Sequence, residues 1–351
     1  MTGEVIPARG HVDGGAPPQD RRARWWYLRG DTIPPSLRSN PVRRLPLAIA
    51  MVVLALLVGV VAYGEWKSLE KLTLDATARA EAPGRFITLS PGTTHYDISG
   101  PDSGRVVVLV HGFSVPYYIW DSTVAGVTDA GYRVLRYDLY GRGWSDRPDV
   151  AYDGALYDAQ LGELLDSLGI PGPVDLVGLS FGGFVTAHFT ANHPERVRTL
   201  TLVDPMAERS VLPGIMQVPV VGAWLWKVRA VPGMADNQLS DFLHPENFPT
   251  WPDQYRPQMR YKGFGRALLS TVAMASRVDF DTLYARVGRT GVPALLLWGK
   301  QDATVPLALA DVVRRGIPSV EFVPVDSAGH LPHIEQAQVV NARLLDFWTA
   351  Y

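Results

Sequence analysis

An α/β fold built on a doubly wound, mostly parallel sheet is the expectation, and three features of the chain carry it. Short runs at residues 106–110, 133–137, 174–177, 200–203, 294–298 and 320–323 are almost continuously apolar, as strands covered on both faces must be. Stretches of helical period separate them, as right-handed crossovers between parallel strands require. Of the 351 residues, 47% are hydrophobic and 19% charged, enough apolar side chain for a sizeable core and too little charge for disorder. A net charge of −2 excludes an overall basic nucleic-acid binder. The lack of cysteine excludes a disulfide framework, a thiolate zinc site, an iron–sulfur cluster and a thiol nucleophile.

Residues 1–44 hold eight arginines against four acidic residues, are rich in Gly and Pro, and show no apolar period, which predicts a disordered basic tail. Trp25-Trp26-Tyr27 within it suits an anionic membrane surface or is an incidental feature of the tail. Residues 45–64, LPLAIAMVVLALLVGVVAYG, carry no charge and have no polar face. As a helix they reach roughly 30 Å, which predicts a single transmembrane span. Arg43-Arg44 abut the span and Glu65 opens its far side, so the positive-inside rule puts the folded domain outside the cytoplasm. A cleaved signal ending near Ala62-Tyr63-Gly64 is the competing reading, weakened by the length of the leader.

Residues 65–84 read as a charged stalk. Residues 85–90 and 93–98 flank Pro91-Gly92 as an antiparallel hairpin and open the first part of the core, 85–205. Leu161, Leu164, Leu165 and Leu168 mark a helix over 153–168, closed by Gly169 and Pro171, and further helices are expected at 181–193, 306–315 and 335–349. The interval 206–291, rich in Pro, Trp, Met and Phe, is far longer than a crossover needs and predicts an inserted cap over the C-terminal edge of the sheet. Residues 292–351 complete the core.

The chemistry-bearing residues follow strand ends. Gly178-Leu179-Ser180-Phe181-Gly182 joins a strand to a helix, the context in which a G-x-S-x-G serine is held strained with its Oγ exposed and an N-terminal helix end behind it. A neutral hydroxyl needs a general base, and His330, after the last strand, is the best placed of eight histidines; His333 reads as packing or capping. Asp302, just past the strand at 294–298, is the orienting carboxylate, with Asp204 the runner-up and Asp326 too close to His330 in sequence. Gly112 lets the N–H of Phe113 turn toward the serine as an oxyanion donor beside that of Phe181, while His111 reads as a structural anchor. Met206, Trp224, Trp226, Phe242 and Trp251 are candidates for an apolar substrate pocket or for cap core. No metal or organic cofactor is implied.

HGFS at 111–114, DLYGRGWSD at 138–146, GLSFGG at 178–183, WGKQDATVP at 298–306 and AGHLPHIEQ at 328–336 together resemble the α/β-hydrolase superfamily, whose triad runs Ser, Asp, His in chain order. The resemblance spans roughly residues 85–349 and implies that fold, a serine-hydrolase activity without cofactor, and the oxyanion donors on Phe113 and Phe181. Relatives that dehalogenate or open epoxides have Asp where Ser180 stands, so neither activity is implied. Tethered and capped, the chain is similar in plan to monoacylglycerol-lipase-like enzymes, which implies lipophilic carboxylic esters as substrates. Carbon–carbon bond hydrolases and cofactor-free perhydrolases use the same triad and remain alternatives, as does a membrane-tethered binding module without turnover.

Overall fold

The computed structural model describes residues 41–351; the expected disordered tail over 1–40, with Trp25-Trp26-Tyr27, lies outside the described residues. Among the described residues the chain divides into two units between Val58 and Gly59. The first described element is the helix Pro41–Lys67, longer at both ends than the charge-free stretch, with Pro41 at its first position, where the missing N–H costs no intrahelical bond. Within it Leu45–Lys67 is long and apolar enough to cross a membrane, a length and composition that suit a membrane span or a signal sequence.

Residues 65–84 do not stand free as a stalk. Leu72 pairs with Tyr261, its N–H donating to the Arg260 carbonyl and its own carbonyl accepting from Lys262 N–H, both at 2.9 Å. The Glu70 carboxylate accepts from the N–H groups of Gly263 and Gly265, at 2.6 and 2.9 Å, at the N-terminus of helix Phe264–Ala275, where anionic groups are favoured.

Eight strands form one sheet: β1 (Arg85–Leu89), β2 (Gly92–Ser99), β3 (Val106–Val110), β4 (Arg133–Tyr137), β5 (Val174–Leu179), β6 (Val197–Val203), β7 (Ala294–Gly299) and β8 (Glu321–Val325). Their order is β1-β2-β4-β3-β5-β6-β7-β8. The β1/β2 hairpin and the β2/β4 pair are antiparallel and all other pairs parallel. All six residues of β5 are buried, as its near-continuous apolar sequence requires. Alternate residues feed two cores. Val108, Val110 and Leu176 pack with helices Gly154–Ser167, Phe181–Asn192 and Phe280–Thr290 through Leu161, Phe189 and Tyr284. Val107, Leu109 and Val177 pack on the other face with Val127, Leu344 and Trp348 of helices Asp121–Asp129 and Ala337–Ala350.

The interval 206–291 is not all insertion. Its last helix, Phe280–Thr290, lies on helix Phe181–Asn192, with Phe280 against Phe184, and is the crossover from β6 to β7. Short helical segments from Gly214 to Arg260 and helix Phe264–Ala275 make up the rest. Because β3 and β5 are parallel neighbours while β4 lies on the opposite side of β3, the strand order reverses there, and the crevice at the carboxyl ends of these two strands is where such a sheet takes a ligand.

Candidate active site

Ser180 sits at that crevice, between β5 and helix Phe181–Asn192, with φ 53° and ψ −117°. A non-glycine residue with this backbone is strained by about 1–3 kcal/mol and persists only where its surroundings hold it. Here the Ser180 N–H donates to the Val203 carbonyl at 2.9 Å, and its carbonyl accepts from Gly183 and Met206 at 2.9 and 3.0 Å. The flanking glycines make the turn feasible. A Cβ on Gly178 would run into the Gly182 carbonyl and the Thr186 hydroxyl, and one on Gly182 into the carbonyls of Val110 and His111. The residue is 8% exposed.

His330 follows β8 and Asp302 follows β7, and the two meet: Nδ1 lies 2.7 Å from Asp302 Oδ2, both side chains buried. Asp302 is fixed in turn by the N–H groups of Thr304 and Val305, each donating to Oδ1 at 2.8 Å. The His330 N–H donates to the Asp241 carbonyl at 2.8 Å, so the cap grips the loop that carries the imidazole. Burial pulls the His330 pKa down, yet the hydrogen bond and charge of Asp302, joined by Asp241, outweigh it and the net direction is up. Ser180 and His330 line one cavity of about 190 Å³, together with Phe113, Asp241 and Thr304. Serine, imidazole and carboxylate thus converge on one rim of the sheet.

Asp204, after β6, stands beside this pair rather than in it. Its ligand atoms and those of Asp302 and His330 lie within 4.8 Å of one another, a donor set of the kind that can hold a metal ion, but His330 Nδ1 and Asp302 Oδ2 already satisfy each other. Asp204 Oδ1 accepts from the Gly299 N–H at 2.8 Å. Burial, then the neighbouring Asp302 charge, push its pKa well above the usual carboxylate range.

Phe113 and Phe181 flank Ser180 with rings edge-to-face at 6.4 Å, and among the described residues no backbone acceptor takes up either N–H. Beneath them lies Arg142, fully buried. It donates through Nε to the Phe113 carbonyl at 2.7 Å, through Nη1 to the Tyr140 carbonyl and the Tyr157 hydroxyl, and through Nη2 to the Thr271 hydroxyl. Its guanidinium also lies over the rings of Phe113, Tyr157 and Phe181 at 5.5–5.7 Å.

His111 and His333 stand apart from the chemistry. His111 Nε2 accepts from the Leu139 N–H at 2.9 Å, so Nδ1–H donates to the Gly112 carbonyl, and burial brings its pKa down to about 4. His333 Nε2–H donates to the Ile119 carbonyl, and burial brings it down to about 3.

A larger cavity of about 460 Å³ opens beside Ser180, lined by Phe113, Met206, Ala207, Val211, Val272 and Val305 among others. Of the five expected pocket residues, only Met206 lines it. Phe242 is stacked on Phe248 at 4.1 Å and edge-on to Trp251 at 5.3 Å, forming cap core. Trp226 lines a separate cavity with Glu70 and Leu269, and Trp224 lies against Tyr63. Aromatic content alone did not separate cap core from pocket wall. Glu335 was missed altogether: it accepts from Gly329 N–H at 2.7 Å and from Leu243 N–H at 2.8 Å, tying the histidine loop to the cap.

Comparison with known proteins agrees with this geometry. Residues 107–343 match the family model described as "Alpha/beta hydrolase family". A pimeloyl-[acyl-carrier protein] methyl ester esterase from Neisseria meningitidis is 26% identical over 71% of this chain and 95% of its own length. A 2-hydroxy-6-oxononadienedioate/2-hydroxy-6-oxononatrienedioate hydrolase from Paraburkholderia phymatum is 27% identical over 79% of this chain and 99% of its own. The solved structure of a thermophilic esterase from Thermogutta terrifontis is 28% identical, with a TM-score of 0.64 over 77% of this chain and 99% of that one.

Proposed function

Because the chain belongs to the alpha/beta hydrolase family, we propose that it is a membrane-anchored serine hydrolase that cleaves carboxylic esters, lipophilic ones in particular, through an acyl-enzyme on Ser180. One observation carries the reading: the strained Ser180 shares its cavity with His330, whose other ring nitrogen is held by Asp302.

In this mechanism Ser180 Oγ attacks the ester carbonyl while His330 Nε2 takes its proton. Asp302 keeps Nδ1 protonated and stabilises the imidazolium. The N–H groups of Phe113 and Phe181 receive the oxyanion as the carbonyl π bond opens. His330 then protonates the leaving alcohol as the C–O bond breaks. Water enters, loses a proton to His330 and attacks the acyl carbon, and collapse of the second tetrahedral intermediate releases the acid and returns the proton to Ser180.

Lipophilic substrates are supported by the cavity wall, where Phe113, Met206, Val211, Val272 and Val305 meet Ser180. Helix Leu45–Lys67 supports the anchor, and Arg43-Arg44 before it supports a catalytic domain outside the cytoplasm. The Paraburkholderia relative is named for a carbon–carbon bond substrate, so that cleavage is the second reading, with perhydrolysis beside it. A panel of 4-nitrophenyl esters of rising acyl length, run beside a vinylogous diketone, separates them. Ester turnover rising with chain length and lost in Ser180→Ala is expected. Turnover of the diketone alone would move the chain to the second reading, and turnover of neither by folded protein would leave a binding module.

A further inference from the structure

Among the described residues, exposed large apolar side chains outside the Leu45–Lys67 helix are concentrated in one place: Val211, Ile215, Val218, Val220 and Val221 fall within eleven residues. Val211 is 89% exposed, Val220 82% and Ile215 58%. These residues belong to a stretch of seventeen, Ser210 to Trp226, that holds no charged side chain and is bounded by Glu208-Arg209 on one side and Lys227 and Arg229 on the other. Monomeric soluble surfaces rarely carry so continuous an apolar segment without a partner. A charge-free apolar stretch with basic residues at its margin is the pattern of an element lying at the boundary of headgroups and acyl chains.

What covers this face is indicated by its neighbour. The Trp224 indole N–H donates to the Val60 carbonyl at 3.0 Å, its ring lies 6.2 Å from that of Tyr63, and a Cβ on Gly64 would meet the indole at 2.7 Å. Lys227 closes the contact with an ion pair to Glu65 at 2.6 Å. Val60 lies seven residues before the end of the helix, about 10 Å along its axis. The segment is therefore fastened to the final turns of the proposed anchor helix. Its other end reaches the active site: Val211, Ser210 and Arg209 line the 460 Å³ cavity that opens beside Ser180.

Resting on that reading of the anchor, we propose that residues 210–226 form a second membrane contact, embedded in the same leaflet surface as the end of the anchor, through which lipophilic substrate passes from the bilayer to Ser180. Val211 marks the crossing point, exposed at one side and cavity wall at the other. The basic flank at Lys227 and Arg229 sits at headgroup level, where anionic lipids strengthen the contact.

The absence of native cysteine makes the test direct. In the full chain, reconstituted into phosphatidylcholine–phosphatidylglycerol vesicles, the single variants Leu54→Cys, Ile215→Cys, Val220→Cys and Val339→Cys each carry one environment-sensitive fluorophore. Labels at 54, 215 and 220 should shift to the blue and be quenched by nitroxide-bearing acyl chains, while the label at 339 stays in water. Quenching at 54 with 215 and 220 in water would overturn the docking and leave the anchor standing. No quenching at 54 would overturn the anchor, and the docking with it. A blue shift at 215 and 220 without nitroxide quenching would put a protein surface there instead and would also overturn the proposal. In the double variant Ile215→Glu/Val220→Glu, hydrolysis of water-soluble 4-nitrophenyl acetate should stay within twofold. Hydrolysis of 4-methylumbelliferyl oleate dissolved in the vesicles should fall at least tenfold. Equal loss on both substrates, or loss on neither, would overturn the passage from the bilayer.

Discussion

The histidine loop and the segment 210–226 flank the same serine and are built on opposite physics. Around His330 nearly every polar group has a partner: the imidazole is held by Asp302, its own N–H by the Asp241 carbonyl, and the adjacent Gly329 N–H by Glu335. Segment 210–226 has little polar side chain to satisfy and leaves its valines in the open. Saturated hydrogen bonding in a buried site fixes geometry to a fraction of an ångström, whereas an apolar surface gains from any apolar partner and fixes none. The first suits a group that must meet a proton at one point, the second a face that must meet a fluid.

That contrast is broken most severely at Asp302. Asp302→Asn keeps the shape but offers Nδ1 an amide in place of an anion, and kcat for ester cleavage should fall by roughly 10³–10⁴. A fall of less than tenfold would mean that another carboxylate orients the imidazole, with Asp204 the first to examine.

A smaller loss is expected at Arg142, which touches no reacting atom and is a positioning residue. Arg142→Met leaves the Phe113 and Tyr140 carbonyls and the Tyr157 hydroxyl without their donor, which should lower stability by about 2–4 kcal/mol in urea unfolding. It also frees the backbone at Phe113, so kcat measured well below the melting range should fall about tenfold to a hundredfold with KM little changed. Unchanged kcat in a folded variant would limit Arg142 to packing.

The pH profile gives the gentlest test. In the proposed mechanism His330 must be neutral to accept the Ser180 proton, and its pKa is raised, so the acid limb of kcat/KM should lie above the ordinary imidazole value, with activity lost as pH falls through it. The Asp204 pKa is pushed well above the usual carboxylate range, so Asp204→Asn should leave both rate and limb within about threefold and a few tenths of a pH unit. A large downward move of the limb would show that Asp204 carries charge beside His330.

How much of this could be read from the residues follows from the same contrast. The strands and the turn at Ser180 were legible because their constraints are local: β5 must be apolar on both faces, and no residue but glycine fits at 178 and 182. Ser180, Asp302 and His330 were legible because each follows a strand and the topology does the gathering. Arg142, Glu335 and the raised pKa of Asp204 were not, since each depends on at least one partner more than ninety residues away. The cap defeated the reading for a further reason. Trp224, Trp226, Phe242 and Trp251 share one composition and three different surroundings, and the periodicity that sorts inside from outside is missing where helices are only a turn or two long. Helix Phe280–Thr290, with a clear apolar face, was hidden within that interval only because no strand-like run marked the boundary before it.

The proposed nucleophile can be observed directly. Treatment of the full chain with a fluorophosphonate, followed by digestion and mass spectrometry, should place a single adduct on the peptide containing Ser180 and none in Ser180→Ala, with labelling slowed at least a hundredfold in His330→Ala. Folded wild-type protein that takes no label, or takes it equally with Ser180 replaced, would contradict the assignment of Ser180 as the attacking group.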